Sequence, residues 1–289
     1  MPLASPYAEY VAPLQQLCRE AAASILCHYA SAQAGEHDRK SDSSPLTAAD
    51  LASHHLLLEG LQPFALPVLS EESEAAVREQ ARQWQRYWLV DPLDGTTEFL
   101  ERTGEFTINI ALIERHQAVF GLVALPLAQE IYLGVPGHGA WKCAWKCGWQ
   151  HSGEQPCGNW QAIACRPLRS ALPTVVLTSR RHRGEKLETC LQALRASVGQ
   201  VERAYVGSAL KFCQLAAGDA DFYPRFSPCS EWDTAAGQAV LEGAGGGIFD
   251  LQGRPLRYNR GDSLLNPDFL AIADPAAAVW STLLNPPQD

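Results

Sequence analysis

The sequence is poor in positive charge. Its 23 lysines and arginines are outnumbered by 32 aspartates and glutamates, which gives a net charge of −9. A general binder of nucleic acid normally carries a basic excess, so this balance argues against nucleic acid as a partner. An anionic substrate would have to be held by a few local cations.

Long apolar segments are also missing. No apolar run approaches the ~18 residues that a membrane span needs, and the N-terminus lacks the basic flank and apolar block of a secretory signal. The nine cysteines are scattered along the chain, and several lie in apolar, helix-like stretches. This usage predicts free thiols in a reducing compartment. We therefore expect a cytoplasmic protein with no integral membrane segment.

The order of predicted elements indicates an α/β protein in two parts. Residues 1–160 read as α+β, with two amphipathic helices followed by buried and antiparallel strands. Residues 161–289 alternate strands with helices, which predicts some parallel sheet. Residues 137–160 are rich in Gly, Trp and Cys and predict an irregular loop. The spacing of the cysteines and the histidine in this loop, Cys143, Cys147, His151 and Cys157, fits no common zinc site.

Two aspartates follow a strand-like apolar segment in "WLVDPLDGTTEF", residues 88–99. Asp91 and Asp94 lie where the strand becomes a turn, so their side chains can face the same side. With the Leu93 carbonyl they would offer three hard oxygen ligands, the chemistry that Mg²⁺ prefers. The alternative interpretation is a solvated Asp-Pro turn before a capped helix.

The residues nearby extend this pattern. Gly95 permits close approach of the backbone to a ligand, and Thr96 supplies a hydroxyl and an N–H at an expected helix start that favours phosphate. Glu71 in "LSEES" ends a strand just before the Asp91 strand, although a Glu-Glu pair is more often exposed surface. Asp233 lies in the first turn of the helix in "SEWDTAAG", where an aspartate is more often a cap than a ligand.

Together these strings resemble the magnesium-dependent, lithium-sensitive phosphomonoesterases of the inositol monophosphatase superfamily. Its signatures, Asp-Pro-hydrophobic-Asp-Gly-Thr and Trp-Asp-x-Ala-Ala, stand intact at 91–96 and 232–236. The strings Thr-Ala-Ala-Asp at 47–50 and Ser-Glu-Glu-Ser at 70–73 are also in family order. The resemblance therefore covers most of the chain, from about residue 5 to residue 285.

The resemblance implies a fold and an assembly. The fold would be a layered αβαβα sandwich in which 1–160 binds metal and 161–289 binds substrate. The protein would be a monomer or a homodimer. Relatives with weak peripheral association to the inner membrane are known, but this sequence carries no readable mark of it.

The resemblance also implies residue roles. Two or three Mg²⁺ would bind the Leu93 carbonyl and four carboxylates, those of Glu71, Asp91, Asp94 and Asp233. One ion would orient and acidify a water while another stabilises the leaving oxygen. Thr96 and Asp50 would position and deprotonate that water. The N–H groups of Gly95 and Thr96 would hold the phosphate, and Asp233 would also contact the substrate.

The second half of the chain bears on the substrate. In "VGSALKFCQLAAGDADFYPRF", Ser208 and Lys211 are three apart at a helix start and Arg225 follows a short strand. This arrangement resembles the branch that hydrolyses 3′-phosphoadenosine 5′-phosphate to AMP and phosphate in sulfate assimilation. The second phosphate needs fixed cations away from the metals, and Lys211 and Arg225 would provide them. Taken singly, either cation is more often a solvated surface residue.

Some features leave alternatives open. The branch usually has a lysine where this chain has Thr97, which puts the substrate preference in doubt. The string "RRHRG" at 180–184 fits a contact to substrate phosphate or base, or a solvated turn. An inositol or sugar monophosphatase is the second enzyme hypothesis. A non-catalytic nucleotide sensor is the third hypothesis, against which the retained Thr96 and Asp50 argue, since sensing needs no water activation.

Overall fold

Two β-sheets, separated and covered by helices, form five layers in the order α/β/α/β/α. The predicted layered α/β sandwich is thereby confirmed. The computed structural model of the protein describes residues 5–31, 38–39, 45–145, 159–169, 172–181 and 184–284. The helices in these ranges are α1 (Ala8–Ala30), α2 (Ala48–Leu61), α3 (Ala75–Ala81), α4 (Thr96–Leu100), α5 (Glu185–Val198), α6 (Leu210–Ala216) and α7 (Glu231–Gly243), with 3₁₀ turns at Gln62–Phe64 and Ala278–Thr282.

The strands in the same ranges fall into a two-stranded ribbon and two larger sheets. The ribbon consists of β1 (Asp38–Arg39) and β2 (Pro45–Leu46). The first sheet has the order β3 (Val68–Ser70), β4 (Arg86–Asp94), β5 (Thr107–Glu114), β6 (Gln117–Leu125), β7 (Glu130–Val135), β8 (Gly139–Ala144) and β9 (Gln161–Ile163). The second sheet has the order β11 (Val201–Tyr205), β10 (Thr174–Thr178), β12 (Phe222–Arg225), β14 (Phe269–Ile272) and β13 (Gly247–Asp250).

The first sheet is mainly an antiparallel meander, and only β3 runs parallel to its neighbour β4. Arg115 and His116 join β5 to β6 with positive φ at both residues, as a tight two-residue hairpin requires. The outer face of this sheet packs on α1 and α2. No helix in the ranges that the structure describes is both long enough and apolar enough to cross a membrane.

The prediction of an irregular loop over 137–160 is wrong for its first part. Gly139–Ala144 forms β8, which pairs with β7, and the side chains of Trp141 and Cys143 are buried. Their alternation with exposed positions is a strand pattern that the unusual composition concealed. Residues 146–158, with Cys147, His151 and Cys157, lie outside the described residues. The division near residue 160 stays a prediction.

The second sheet combines parallel and antiparallel pairs. Strands β11 and β12 run parallel to β10 between them, as the strand-helix alternation predicts. Sequence reasoning missed β14, which lies antiparallel between β12 and β13. A run of only four apolar residues carries too little periodicity to separate a strand from a buried helix turn. The outer face of this sheet packs on α5 and the last 3₁₀ turn.

Helix α7 lies in the middle layer, directly on the first sheet. A side chain at Gly121 or Gly134, which face each other on β6 and β7, would collide with the α7 backbone at 2.3 and 2.2 Å. Because both positions are glycine, the axis of α7 can lie close to the sheet. This contact holds α7, the helix that carries Asp233, against the first sheet.

Candidate active site

An extra residue in β4 brings Asp91 and Asp94 to the same side of the first sheet. Asp91 pairs with Asn109 and Asp94 with Thr107, so the register between β4 and β5 shifts at this point. In a regular strand, residues three apart point to opposite faces, and a bulge of one residue corrects this. Pro92 lies inside the bulge, and its carbonyl accepts a hydrogen bond from Ser53 of α2 at 2.8 Å.

Asp233 joins this pair from α7. It is the third residue of the helix, and its Oδ2 accepts the Ser230 N–H at 2.9 Å in a capping box. One carboxylate oxygen from each of Asp91, Asp94 and Asp233 lies within 4.8 Å of the other two. Burial, and then the charges of Asp94 and Glu71, raise the pKa of Asp233 to about 7. Three acids so close together require a cation in order to be ionised at the same time.

Asp94 is held by donors from both halves of the chain. Its Oδ2 accepts the Ala209 N–H at 2.6 Å and lies 3.3 Å from both Thr107 Oγ1 and Asn109 Nδ2. Burial raises its pKa, against the lowering effects of the Lys211 charge and of the hydrogen bonds from Ala209 and Asn109. The donors orient the carboxylate without neutralising it.

Glu71 is the outer member of the acidic set. Its N–H donates to the Val90 carbonyl at 3.0 Å, which carries the β3–β4 pairing to the level of Asp91. Among the described residues, the three aspartates form the group within 4.8 Å and Glu71 is not part of it. Its charge nevertheless acts on the pKa of Asp233. The structure thus places Glu71 beside the cluster rather than inside it.

Thr96 and Asp50 meet from positions 46 residues apart. Thr96 Oγ1 lies 3.2 Å from Asp50 Oδ1 and 3.4 Å from the Leu93 carbonyl. Asp50 Oδ2 accepts the Thr47 N–H at 2.8 Å and contacts the Thr47 hydroxyl. These contacts form the capping box of α2, and they fix the carboxylate that faces Thr96.

Gly95 makes the turn between β4 and α4. Its φ is +92°, a left-handed conformation that glycine adopts without strain. A Cβ at this position would lie 3.1 Å from the Glu105 carbonyl and 3.3 Å from Ser208 Cβ. Glycine is therefore required by both the backbone conformation and the space available.

Lys211 is buried, which the sequence does not predict. Its Nζ donates to the carbonyls of Ser208 at 2.8 Å and Val206 at 3.2 Å. Burial lowers its pKa to about 8, opposed by the charge of Asp94 and assisted by that of Arg225. The ammonium group therefore keeps its proton near neutral pH.

Arg225 is the last residue of β12 and directs its guanidinium to backbone carbonyls, those of Ser227 at 3.2 Å and Pro228 at 2.8 Å. The cleft beside the carboxylates has a volume of about 230 Å³. The predicted residues that line it are Asp94, Gly95, Ser208, Lys211, Arg225 and Asp233. Both cations and two of the three clustered aspartates, Asp94 and Asp233, thus line one cleft.

Sequence reasoning missed several residues around the site. Thr107 and Asn109 are fully buried polar residues in an apolar strand, and their i, i+2 spacing on one strand face is a signal that could have found them. Arg78 on α3 lies 5.3 Å from the Trp232 ring and donates to the carbonyls of Glu71 and Ser73. No sequence pattern marks that contact.

The donor set of the acidic cluster is made of oxygen atoms alone. Carboxylates and a carbonyl are ligands that a hard divalent cation prefers. Such a cation would also offset the repulsion between the clustered negative charges. The sequence matches the inositol monophosphatase family over residues 7–281. The chain belongs to this family. Family members are metal-dependent phosphatases, and the cluster is compatible with that chemistry.

Relatives within the family carry a more specific name. The chain is 45% identical over 256 residues to the 3′(2′),5′-bisphosphate nucleotidase CysQ of Salmonella typhimurium, covering 88% of this chain and 96% of the relative. It is 42% identical over 256 residues to the CysQ of Escherichia coli strain K12, with the same coverage of 88% and 96%.

Solved structures of the family have the same fold. The crystal structure of CysQ from Bacteroides thetaiotaomicron superposes with a TM-score of 0.79 at 36% identity and covers 93% of this chain and 98% of its own. An inositol monophosphatase from Zymomonas mobilis superposes with a TM-score of 0.73 at 23% identity, covering 96% of this chain and 98% of its own. The second likeness bears on the fold alone.

Proposed function

We propose that this family member is a 3′(2′),5′-bisphosphate nucleotidase that hydrolyses 3′-phosphoadenosine 5′-phosphate to AMP and phosphate. One observation carries the proposal: carboxylate oxygens of Asp91, Asp94 and Asp233 lie within 4.8 Å of one another, and Thr96, two residues after Asp94, is hydrogen-bonded to Asp50. The CysQ relatives at 42 to 45% identity support the choice of substrate.

The metal would be Mg²⁺, because the cluster offers oxygen ligands only. Glu71, Asp91, Asp94, Asp233 and the Leu93 carbonyl would hold it. When bound, the metal would supply Lewis-acid stabilisation of the phosphate oxygens and lower the pKa of a bound water. Residues of the chain itself would perform the remaining tasks.

Asp50 and Thr96 would control the proton of the attacking water. Thr96 Oγ1 donates its hydrogen to Asp50 Oδ1, which leaves its lone pairs directed to accept a hydrogen bond from the water. The water oxygen forms the new bond to phosphorus as the bond to the ribose 3′-oxygen breaks. The proton of the water would pass by way of Thr96 to the Asp50 carboxylate, and the 3′-oxygen would leave as a hydroxyl with a proton from a solvent water; Asp50 would then return its proton to solvent.

Substrate binding would use backbone and side-chain donors of the cleft. The N–H groups of Gly95 and Thr96 would hold the 3′-phosphate, with Asp233 at its edge. Ser208, Lys211 and Arg225 would hold the 5′-phosphate. The burial of Lys211 makes it a fixed charge, since its contacts to two carbonyls restrict the ammonium group.

The cell compartment and the assembly are part of the proposal. None of the seven cysteines that the structure describes forms a disulfide, which suits a reducing cytoplasm. We propose a cytoplasmic enzyme that acts on a small molecule as a monomer or homodimer.

A phosphatase panel tests the proposal. The purified protein is assayed for phosphate release from 3′-phosphoadenosine 5′-phosphate, inositol 1-phosphate and a sugar phosphate at several Mg²⁺ concentrations. We expect kcat/KM to be highest for the nucleoside bisphosphate. Preference for inositol 1-phosphate would favour a monophosphatase, and tight nucleotide binding without phosphate release would favour a sensor.

A further inference from the structure

A second cavity adjoins the cleft that holds the carboxylates. The first has a volume of about 230 Å³ and the second about 310 Å³. Four residues line both of them, namely Ser179, Arg181, Tyr223 and Arg225. The two cavities therefore meet at these residues, and two of the four carry a positive charge.

Arg181 is held at this junction by the first half of the chain. Its Nη1 donates to Glu98 Oε1 at 2.7 Å and its Nη2 contacts Glu101. A guanidinium has five N–H donors, so these two bonds leave three for another acceptor. The side chain is 36% exposed, which keeps those donors accessible from the cleft. Glu98 and Glu101 thus orient the Arg181 guanidinium and leave some of its N–H donors available.

Two other cations line the cleft, and both are also hydrogen-bonded to the protein. Lys211 Nζ directs two hydrogen bonds to backbone carbonyls, and the Arg225 guanidinium directs two more to Ser227 and Pro228. Thr97 lines the cleft without a charge. A dianion at the junction would find in Arg181 a planar donor fork suited to phosphate oxygens.

We infer that Arg181 contacts the second phosphate of the substrate and sets the preference for nucleoside bisphosphates over nucleoside monophosphates. The inference rests on the proposed function and deepens it. Arg181 would act in binding and not in the chemical step, because it lines the junction rather than touching the acidic cluster.

Arg180 provides a matched control for Arg181. It also pairs with a glutamate of the first half, donating from Nη2 to Glu105 Oε1 at 2.8 Å. It lines neither the cleft nor the second cavity among the described residues. The two neighbouring arginines therefore differ in access to the substrate while both connect the two halves of the chain.

The test compares wild type, Arg181→Gln, Arg180→Gln and the double variant Glu98→Gln/Arg181→Gln. Each is assayed for kcat and KM on 3′-phosphoadenosine 5′-phosphate and on 3′-AMP, which lacks the 5′-phosphate. Binding of the product 5′-AMP in Mg²⁺ is measured by calorimetry. Circular dichroism and thermal unfolding establish that each variant is folded.

We expect Arg181→Gln to lower kcat/KM on the bisphosphate at least about tenfold, mainly through KM, because a charged hydrogen bond to phosphate is lost. Turnover of 3′-AMP should change little, and 5′-AMP affinity should fall by a similar factor of about ten. The double variant should behave like Arg181→Gln, and Arg180→Gln like wild type.

Three results would overturn the inference. Equal losses on both substrates would give Arg181 a structural role only. Recovery of wild-type kcat/KM in the double variant would make the unpaired Glu98 charge the cause. If Arg180→Gln showed the same selective loss of kcat/KM on the bisphosphate, the phosphate contact could not be assigned to Arg181. If wild type released no phosphate from either substrate, the proposed function would fail, and the 5′-AMP titration would still decide the role of Arg181.

Discussion

Thr96 Oγ1 lies 3.2 Å from Asp50 Oδ1, so a hydroxyl at the start of α4 is hydrogen-bonded to a carboxylate in the first turn of α2. Asp50 is 1% exposed and is held by the backbone of Thr47. The carboxylate is therefore an oriented acceptor, and we expect the threonine to act as a relay between it and the attacking water.

This relation predicts the effect of removing the hydroxyl. Thr96→Ala should lower kcat about 10²- to 10⁴-fold, because the attacking water loses its path to a base. Thr96→Ser keeps the hydroxyl and should retain most of the activity. Steady-state kinetics measures both, with Mg²⁺ binding followed by calorimetry. An alanine variant with wild-type kcat, or a serine variant as inactive as alanine, would contradict the relay.

Arg78 is expected to be a positioning residue for the acidic cluster. It connects the carbonyls of Glu71 and Ser73 to the ring of Trp232, which precedes Asp233. Arg78→Met should weaken Mg²⁺ binding about 10- to 100-fold, as loss of support around metal ligands does elsewhere.

The measurement for Arg78 is a calorimetric Mg²⁺ titration of the folded variants. Arg82→Gln is the matched control, since Arg82 pairs with the exposed Glu79 and Asp262 near the same helix. Unchanged Mg²⁺ affinity in Arg78→Met, or an equal loss in Arg82→Gln, would show that Arg78 does not position the ligands.

Glu231 should make stability depend on pH. Burial raises its pKa from 4.5 to about 7, although the Asn259 N–H opposes the shift. Between these values the folded protein keeps a proton that the unfolded chain has released, so this stabilisation is lost as pH rises toward 7. The full difference is on the order of 3 kcal/mol.

Glu231→Gln removes this titration. The free energy of unfolding of the variant minus that of wild type should therefore increase between pH 5 and pH 8. Urea unfolding in chelator at both pH values measures it, with the exposed Glu188→Gln as control for charge removal. A difference that is constant with pH, or that decreases, would contradict a buried carboxyl with a raised pKa.

Much of the fold could be predicted from the sequence because its elements have clear local signals. The capping box of α2, the buried strand before Asp91 and the strand-helix alternation of the second half all have such signals. The unusual composition of β8 concealed its strand pattern, and β14 is too short to show the alternation of side chains that marks a strand. Local sequence patterns therefore fail to predict a strand where its composition or its short length conceals the hydrophobic periodicity.

The candidate site, like the fold, could be predicted from the sequence only in part. The sequence predicts Asp91, Asp94 and Asp233, and the structure brings their oxygens within 4.8 Å. It does not predict the β4 bulge that turns two aspartates to one side, because bulges depend on pairing with β5. It also does not predict the burial of Lys211, which is set by tertiary packing.

The most direct test of a metal-centred phosphatase is phosphate release from 3′-phosphoadenosine 5′-phosphate as a function of Mg²⁺, for wild type and for folded Asp94→Asn. We predict that release by wild type is abolished by EDTA, restored by Mg²⁺ and saturable. Asp94→Asn should lose at least about 100-fold in kcat/KM at the same Mg²⁺ concentration. Release that persists in EDTA, or that Asp94→Asn leaves unchanged, would contradict the assignment of the carboxylates.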